Sequence, residues 1–388
     1  MIHWQPVIAS VLVLLTLPGT IELALVTFAG ILPPSKHKQQ PTVKIAKLAV
    51  VIPAHDEAGT IARCVQSIAA CVVPDSLETQ VVVVADNCTD ATADYARTAG
   101  ARVLVRTDPA RRAKGFALEF AFQILIDEGF DAVVVIDADS IVDSNFLLES
   151  VQLLRAGADG VQARYLVLNS DASSRTRLMN VALMAFNVLR ARGRDRLGLS
   201  VGISGNGFSL SRATLEAVHY DTHSLVEDMD YHIRVVEAGR RIVFADGTRV
   251  RAEMPTGGRA ASTQRARWEG GRLRTAIQNL PRLAKGAISG KPHLVEPALE
   301  LLLMPLAFHV STLGLIALIP CAPTRVYACF ALALAAFHVP AGIIVGGGDS
   351  SDFAALLGAP FYVVWKLAAL PKTMQSARRT APWIRTER

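Results

Sequence analysis

Long apolar stretches at the two ends of the chain dominate the pattern of hydrophobic and polar positions. The first, residues 7–32, gives a helix of about 39 Å at about 1.5 Å per residue, more than a hydrocarbon core of about 30 Å requires. Two later runs, 299–320 and 326–345, are each long enough to span, and the short segment between them predicts a helical hairpin. A fourth run, 353–370, contains a proline and a lysine and fits a span, a re-entrant helix or an interfacial helix.

A secretory signal peptide is the alternative interpretation of the first run. The residues before this run include no Lys or Arg, and the run itself is longer than the apolar region of a signal peptide. We therefore expect a membrane-spanning helix within residues 1–33. Pro18, Gly19 and Glu22 allow this helix to be kinked or re-entrant.

Basic residues set the expected orientation in the membrane. None precedes the first run, and four lysines follow it at once: Lys36, Lys38, Lys44 and Lys47. This asymmetry places the N-terminus outside and the middle of the chain in the cytoplasm of an inner or plasma membrane. The basic tail, 372–388, also prefers the cytoplasm, whereas four complete spans would put it outside. We therefore expect one run not to cross, with 353–370 as the first candidate.

Between the apolar ends, runs of Val and Ile alternate with segments of helical spacing. Strands are predicted at 48–52, 81–84, 102–105 and 132–136. Helices are predicted between them, at 60–70, before about residue 99 and at 117–127. Continuous apolar strands joined by helices predict an α/β fold, a mostly parallel sheet with helices on both faces. A ligand of such a sheet lies at the carboxyl ends of its strands.

Acidic clusters follow three of the predicted strands. They are Asp56 with Glu57, Asp86 with Asp90, and Asp137 with Asp139. Acidic groups gathered at one sheet edge repel each other unless a cation or hydrogen-bond donors compensate. An Asp-x-Asp pair offers hard oxygens that suit Mg²⁺ or Mn²⁺ bridging a diphosphate, and its alternative is a helix N-cap. Basic residues in the loop after the third strand suit phosphate as well: Arg106, Arg111, Arg112 and Lys114.

Several of these segments resemble the motifs of family 2 glycosyltransferases. The first three are Val51-Ile52-Pro53-Ala54-His55-Asp56-Glu57, Asp86 after a Val run, and Ile136-Asp137-Ala138-Asp139. Later, Val226-Glu227-Asp228 resembles a Thr-Glu-Asp motif with Val in place of Thr, and Gln264-Arg265-Ala266-Arg267-Trp268 matches Gln-x-x-Arg-Trp. The set covers about residues 48–268 and is typical of membrane-embedded members. These are the cellulose, chitin, hyaluronan and poly-N-acetylglucosamine synthases and some lipid glucosyltransferases.

The resemblance implies a GT-A fold and a role for each motif residue. Asp228 is then the base that deprotonates the acceptor hydroxyl, with Glu227 and Asp230 as nearby alternatives. The donor would be a nucleotide-sugar, and the residues that contact it would be Pro53, His55, Glu57, Asp86, Lys114, Asp137 and Glu227. The acceptor and diphosphate would contact Gly205, Asn206, Gln264, Arg267 and Trp268. Asp137 and Asp139 would hold Mg²⁺ or Mn²⁺. The alternatives are a solvated helix start for Glu227 and Asp228, an ordinary turn for Gly205 and a membrane-surface anchor for Trp268.

Composition narrows the class of protein further. With 51% hydrophobic and 19% charged residues among 388, the chain is too apolar for a disordered protein, and five cysteines do not make a disulfide framework. The net charge of +6 admits nucleic acid, an anionic membrane surface or an anionic substrate as partner. The basic residues lie beside the apolar runs and form no nucleic-acid reader motif, so we expect membrane lipids and no nucleic acid.

We expect five units along the chain. They are a transmembrane helix (1–33), a cytoplasmic GT-A domain (34–260), basic interfacial amphipathic helices (261–297), C-terminal membrane helices (298–371) and a basic tail (372–388). The expected function is inverting transfer of a sugar from a UDP-sugar to a glycan or lipid-linked acceptor, in exopolysaccharide or envelope glycan synthesis. The alternatives are a non-processive enzyme that makes a glycolipid and a non-catalytic nucleotide-sugar-binding membrane protein.

Overall fold

The computed structural model describes residues 4–35, 43–222, 224 and 226–376. The sequence-based expectations for Lys36, Lys38 and the tail beyond residue 376 fall outside the described residues. The strands are β1 Lys47–Ala54, β2 Glu78–Asp86, β3 Arg102–Arg106, β4 Ala132–Val135, β5 Ser140–Val142, β6 Gly160–Val167, β7 Phe208–Ser211 and β8 Ile242–Ala252.

Helices surround the sheet and form both ends of the described chain. The first nine are α1 Trp4–Gly30, α2 Ile61–Ala69, α3 Thr92–Thr98, α4 Lys114–Asp127, α5 Phe146–Arg155, α6 Ser174–Leu183, α7 Ala191–Arg196, α8 Arg212–Ala217 and α9 Glu227–Glu237. The others are α10 Gly258–Ile288, α11 Val295–Leu302, α12 Leu306–Leu318, α13 Ala322–Gly346, α14 Ser350–Ala355, α15 Ala359–Ala368 and α16 Leu370–Ser376. A π-helical segment, Met184–Arg190, joins α6 to α7.

The eight strands form one mixed sheet in the order β3-β2-β1-β4-β7-β6-β8-β5. The first four are parallel, as predicted, and β6 and β8 are also parallel. Strand β7 runs antiparallel to both β4 and β6, and β5 runs antiparallel to β8. The predicted α/β architecture is confirmed, and the antiparallel half lies in the part of the chain for which no strands were predicted.

Strand β1 shows why the apolar runs could be recognised. Its residues Leu48, Val50 and Ile52 belong to the hydrophobic core on one face of the sheet, whereas Ala49 and Val51 belong to the core on the other. Side chains alternate between the faces of a strand, so a strand covered on both sides is apolar at every position. All five side chains are fully buried.

Two helices of the described chain, α1 and α13, are long and apolar enough to cross a membrane. The run at 299–320 does not form one straight span, because α11 and α12 meet at an angle of 73° at the segment before Pro305. This bent pair counts as a broken span or a re-entrant loop. The run at 353–370 is divided among α14, α15 and α16, and it yields no span in the described residues.

The helix α1 packs closely against α7 of the sheet domain. A Cβ atom on Gly193 of α7 would lie 2.1 Å from the carbonyl oxygen of Val26, so only glycine permits this approach. Next to this contact, Arg190 forms ion pairs with Glu22 of α1 at 2.9 Å and with Glu300 of α11 at 3.2 Å. A close backbone contact and a half-buried ion-pair network thus fix the apolar helices against the sheet domain.

Candidate active site

The loops that follow β1 and β2 form the first wall of the site. A ring nitrogen of His55, Nδ1, lies 2.8 Å from the carbonyl oxygen of Asp86. The carboxylate of Asp86 accepts a hydrogen bond from Arg106 at 2.6 Å, and a second from the side chain of Asn87 at 3.1 Å. Asn87 and Asp56 both have positive φ, 51° and 53°, which short polar side chains tolerate at tight turns. Asp86 is therefore held in place by a cation that sequence reasoning had assigned to phosphate.

Lys114, the first residue of α4, connects this wall to the Asp-x-Asp motif. Its ammonium group donates hydrogen bonds to the carboxylate of Asp137 and to the carbonyl oxygen of Gly205. Burial lowers the pKa of Lys114, but attraction by Asp137, Glu227 and Asp228 outweighs burial and leaves the pKa raised. Lys114 is therefore protonated at neutral pH, and it is the cation that balances three carboxylates.

Gln162 holds the loop that carries Gly205, and no motif pointed to it. Its side-chain amide donates to the carbonyl oxygen of Asn206 at 2.9 Å, and its oxygen accepts from the backbone N–H of Ser204 at 2.9 Å. Gln162 is 3% exposed, so these bonds have no solvent alternative. The signal available in sequence was weak, because β6 contains a second polar residue, Arg164, two positions after Gln162.

The position of Asn206 differs from the prediction made for it. It was expected to contact the acceptor or the diphosphate, but it is fully buried and does not line the cavity. Its side-chain oxygen accepts from the backbone N–H of Asp137 at 3.0 Å, and its amide donates to Ser140 at 2.8 Å. The Ser140 hydroxyl donates in turn to the Asp139 carboxylate at 3.2 Å. Asn206 therefore orients the Asp-x-Asp motif from behind.

We expect Gln162→Met to impair turnover while the chain stays folded. The substitution keeps the side-chain volume but removes the hydrogen bonds of Gln162 to the loop that carries Gly205, leaving buried backbone groups unpaired at a cost of about 1–3 kcal/mol. The rate should fall about tenfold or more, since each 1.4 kcal/mol lost from the transition state is tenfold. Steady-state kinetics and thermal unfolding measure the two effects. Gln152→Met, on the outer face of α5, is the matched control, and equal rates in both variants would contradict this role of Gln162.

Asp228 and Glu227 begin α9 and face the same loop. A Cβ atom on Gly205 would lie 3.0 Å from a carboxylate oxygen of Asp228, and Gly205 has a φ of +74°. Glycine is required at this position for conformation and for space. Burial and then the neighbouring Glu227 raise the pKa of Asp228 to about 7, and burial also raises the pKa of Glu227. A carboxylate with a pKa near neutrality suits proton transfer at neutral pH. The helix α9 begins at Glu227.

The Gln-x-x-Arg-Trp residues come from the long helix α10. Gln264, Arg267 and Trp268 all line the cavity. Arg267 also acts on the acidic pair, because its charge lowers the pKa of Glu227. The helix begins at Gly258, before the expected boundary at 261. Its buried Leu283 packs in a hydrophobic cluster with α9 and α11.

The C-terminal helices close this side of the site, which sequence reasoning did not predict. Lys366 of α15 pairs with Glu269 of α10 at 2.9 Å. The guanidinium group of Arg265 lies 4.9 Å from the ring centre of Tyr362 and 5.9 Å from that of Trp365. Such cation–π contacts are favourable next to a buried ion pair. The helix that carries the Gln-x-x-Arg-Trp residues is therefore tied to the segment 353–370.

A single cavity of about 1120 Å³ contains these groups. Apart from Asn206, every residue to which the family resemblance gave a role lines it: Pro53, His55, Glu57, Asp86, Lys114, Asp137, Asp139, Gly205, Glu227, Asp228, Gln264, Arg267 and Trp268. The cavity extends from the sheet edge to the apolar helices α1, α12 and α13. This volume exceeds what a small-molecule pocket usually needs and leaves room for two substrates.

The donor atoms at the sheet edge fit a divalent cation. The side chains of Asp137, Asp139, Glu227 and Asp228 all line the cavity, together with the cations Lys114 and Arg267. Hard carboxylate oxygens with excess negative charge are the ligands that Mg²⁺ and Mn²⁺ prefer. In the described residues, the group whose three possible ligand atoms lie within 4.8 Å of one another is a different one, Asp56, Cys88 and Asp90, and these three residues do not line the cavity.

Known proteins share the fold and parts of the sequence. A mannosyltransferase from Pyrobaculum calidifontis, solved in complex with GDP-Man and Mn²⁺, superposes with a TM-score of 0.56 at 19% identity and covers 96% of both chains. This match confirms the GT-A fold. A probable glycosyltransferase of Bacillus subtilis, YdaM, is 26% identical over 254 residues, and a probable glucomannan 4-beta-mannosyltransferase of Arabidopsis thaliana is 32% identical over 143 residues.

These matches cover the two curated relatives incompletely. The aligned part is 62% of this chain and 59% of the Bacillus protein, and 36% of this chain and 26% of the Arabidopsis protein. The family model described as glycosyltransferase-like family 2 matches residues 46–271, from the start of the sheet to just beyond the Gln-x-x-Arg-Trp motif. This match covers more than half of the chain, and the protein belongs to the family 2 glycosyltransferases.

Proposed function

We propose that this glycosyltransferase is an inverting enzyme that transfers a sugar from a nucleotide-sugar donor to a lipid-linked or glycan acceptor at the cytoplasmic face of a membrane. The observation that carries the proposal is the contact between Asp228 and Gly205, because Gly205 also accepts the hydrogen bond of Lys114. A candidate base and a candidate diphosphate site therefore share one small loop. A single displacement at a sugar carbon requires the base and the diphosphate site to lie close together.

The reaction follows from these positions. Asp228 accepts the proton of the acceptor hydroxyl while that oxygen attacks the anomeric carbon. The new carbon–oxygen bond forms on the face opposite the leaving group, and the bond to the diphosphate oxygen breaks with its electron pair. The nucleoside diphosphate leaves, and the configuration at the anomeric carbon is inverted. Lys114 and Arg267 are the cations that stabilise the charge developing on the diphosphate.

The remaining residues bind and orient the two substrates. Pro53, His55, Glu57 and Asp86 hold the nucleoside at the sheet edge. Trp268 offers an indole face for the apolar side of a sugar ring, and Gln264 a hydrogen bond to the acceptor or diphosphate. Mg²⁺ or Mn²⁺ held by Asp137 and Asp139 would supply positive charge to the diphosphate. The Mn²⁺ in the Pyrobaculum complex supports this choice of ion.

The membrane location is part of the proposal. Helices α1 and α13 are long and apolar enough to cross a bilayer, and large apolar side chains are exposed on them, such as Leu14, Phe330 and Ile344. We propose the five units given by the sequence, with 353–370 as a segment that does not cross. A role in exopolysaccharide or envelope glycan synthesis follows from this location. A non-catalytic binder is disfavoured, because binding alone needs no carboxylate with a raised pKa.

The test uses the full chain in membranes with a panel of labelled UDP-sugars and GDP-mannose. GDP-mannose is included because the Pyrobaculum structure contains it. We expect saturable binding of one donor and transfer of its label to an acceptor. Chelation of divalent metal should abolish transfer, and Mn²⁺ or Mg²⁺ should restore it, since without the cation the diphosphate charge is not compensated.

Two results would contradict the proposal. Binding without transfer in the presence of metal, from every donor and in every membrane fraction, would favour the non-catalytic binder. Undiminished transfer in the presence of chelator would remove the metal role of Asp137 and Asp139. Nucleotide-sugar binding is measured separately by calorimetry, so the failure of binding and the failure of transfer are distinguished.

A further inference from the structure

The apolar end of the cavity is built by three helices. Helix α13 contributes residues at the spacing of one helix face, namely Leu332, Ala335, Ala336 and Val339. Helix α12 contributes Leu306 and Val310, and α1 contributes Gly19 and Leu23. This wall is continuous with the wall that contains Asp228.

The long helix α10 leads from the reacting groups to this end. One turn beyond Trp268, Arg272 donates hydrogen bonds to the carbonyl oxygens of Glu300 and of Leu303, the latter at 3.3 Å. Leu303 precedes α12, whose first turn begins the apolar wall at Leu306. The change from polar to apolar lining therefore takes place at the bend between α11 and α12.

One residue of the apolar end lies next to the outer face of α13. Ala336 lines the cavity and is exposed. The residue that follows it, Phe337, is 47% exposed, and Phe330 and Ile344 of the same helix are 62% and 70% exposed. Large apolar side chains exposed along a candidate membrane helix would face lipid chains. Ala336 thus joins the lining of the cavity to the helix surface that would lie in the bilayer.

The lining of this end distinguishes between a lipid chain and a glycan. The described residues that α1, α12 and α13 contribute to the cavity include no Phe, Tyr or Trp. A sugar chain is held by aromatic faces and many hydrogen bonds, whereas an alkyl or prenyl chain needs only apolar surface. The polar groups that these helices contribute have partners: Glu22 pairs with Arg190 at 2.9 Å, and His309 and His338 are bonded to Thr20 at 3.2 Å and Thr27 at 2.7 Å.

We infer that the acceptor is a membrane lipid that reaches the cavity sideways from the bilayer past Ala336. Its chain lies against α1, α12 and α13, and its head group presents an oxygen nucleophile to Asp228. The inference rests on the proposed function and specifies its acceptor. The bonds formed and broken are those of that transfer: the head-group oxygen gains the sugar, and the nucleoside diphosphate leaves with the electron pair of the broken bond. Asp228 gains the proton when the nucleophile is a hydroxyl, whereas an ionised phosphate oxygen has no proton to give up.

The test blocks the proposed route at Ala336 without touching the reacting groups. Ala336→Trp places an indole in the cavity wall at this point. Ala333→Trp is the matched control, because Ala333 is also exposed on α13 but does not line the cavity. Both full-length variants and the unmodified protein are placed in vesicles of phosphatidylcholine alone, or with added diacylglycerol, phosphatidylglycerol or polyisoprenyl phosphate. The labelled donor is the one that binds in the donor panel.

We expect label in the organic phase from one lipid addition, and its identity distinguishes a glycerolipid from a polyisoprenyl phosphate as acceptor. Ala336→Trp should lower this transfer about tenfold or more, the effect of losing 1.4 kcal/mol of acceptor binding, while donor binding stays unchanged. Ala333→Trp should match the unmodified protein. The inference is overturned if transfer in the two variants is equal, or if a donor that binds never labels lipid. If the unmodified protein binds none of the donors in the panel, the proposed function itself is overturned.

Discussion

Asp228→Asn is expected to abolish sugar transfer and to leave nucleotide-sugar binding intact. The amide keeps the size of the carboxylate and its hydrogen bond from the backbone N–H of Met229, but it cannot accept the acceptor proton. The loss of a general base lowers the rate by about a thousandfold. In the unmodified protein the rate should rise with pH and reach half of its maximum near the pKa of Asp228, about 7, because only the ionised form is a base. Calorimetry measures nucleotide-sugar binding in the variant. Transfer rates are measured across pH 5–9, a range that extends about two pH units on either side of that pKa.

The stability of the same variant distinguishes a chemical loss from unfolding. The pKa of Asp228 is raised in the folded state from 3.8 to about 7. A raised pKa contributes stability below the unfolded value, and this contribution is lost as pH rises through the folded value. Asp228→Asn should therefore be at least as stable as the unmodified protein above pH 7. Glu237→Gln, at the other end of α9 and outside the cavity, should behave as the unmodified protein. Equal turnover in the two variants would exclude Asp228 as the base.

Lys114→Met is expected to shift the pH dependence of transfer upward and to lower the rate at neutral pH. Lys114 is the cation that lowers the pKa of both Glu227 and Asp228. Without it the carboxylate pKa values rise further, so the pH of half-maximal rate should increase by about one unit. At neutral pH less base is then ionised, and one charged contact to the diphosphate is also lost. Together these effects lower kcat/KM about a hundredfold.

Two further lysine variants complete this measurement. Lys114→Arg keeps the charge and should keep the pH of half-maximal rate near that of the unmodified protein, although the longer planar group lowers the rate. Lys47→Met removes an exposed lysine that pairs with Glu78 at 3.7 Å, at the opposite end of the parallel strands, and should change neither quantity. An unchanged pH profile in Lys114→Met would contradict the electrostatic coupling between Lys114 and Asp228.

The predicted and observed folds agree where one strand is buried on both faces. Residues 48–52 could be assigned without any partner, because every position had to be apolar. The start of β2 could not be assigned from the sequence, because residues 78–80 are polar. They belong to the strand because their backbone pairs with β1 from Lys47 onward. Backbone pairing has no sequence requirement of its own, so the pattern indicated only the apolar middle of this strand.

The site shows the same division. Cavity-lining residues such as Asp137 and Trp268 could be predicted from the sequence, because their residue type and spacing match motifs. Gln162 acts through two hydrogen bonds to a loop more than forty residues away in the chain, 2.9 Å each, and nothing near it in sequence records that contact. Arg106 was assigned to phosphate from its charge, whereas its position beside Asp86 follows from the register of β2 and β3.

By itself, the sequence determined the α/β class, the apolar ends, the order of the acidic clusters and the family, because these depend on residue type and local spacing. Only the tertiary structure decided which groups meet. It bends α11 against α12, ties 353–370 to α10 through Lys366 and Glu269, and brings Gly205 against Asp228. It also joins the catalytic cavity to the apolar helices. These contacts depend on the packing of distant elements, which fixes distances and pKa values that no local pattern contains.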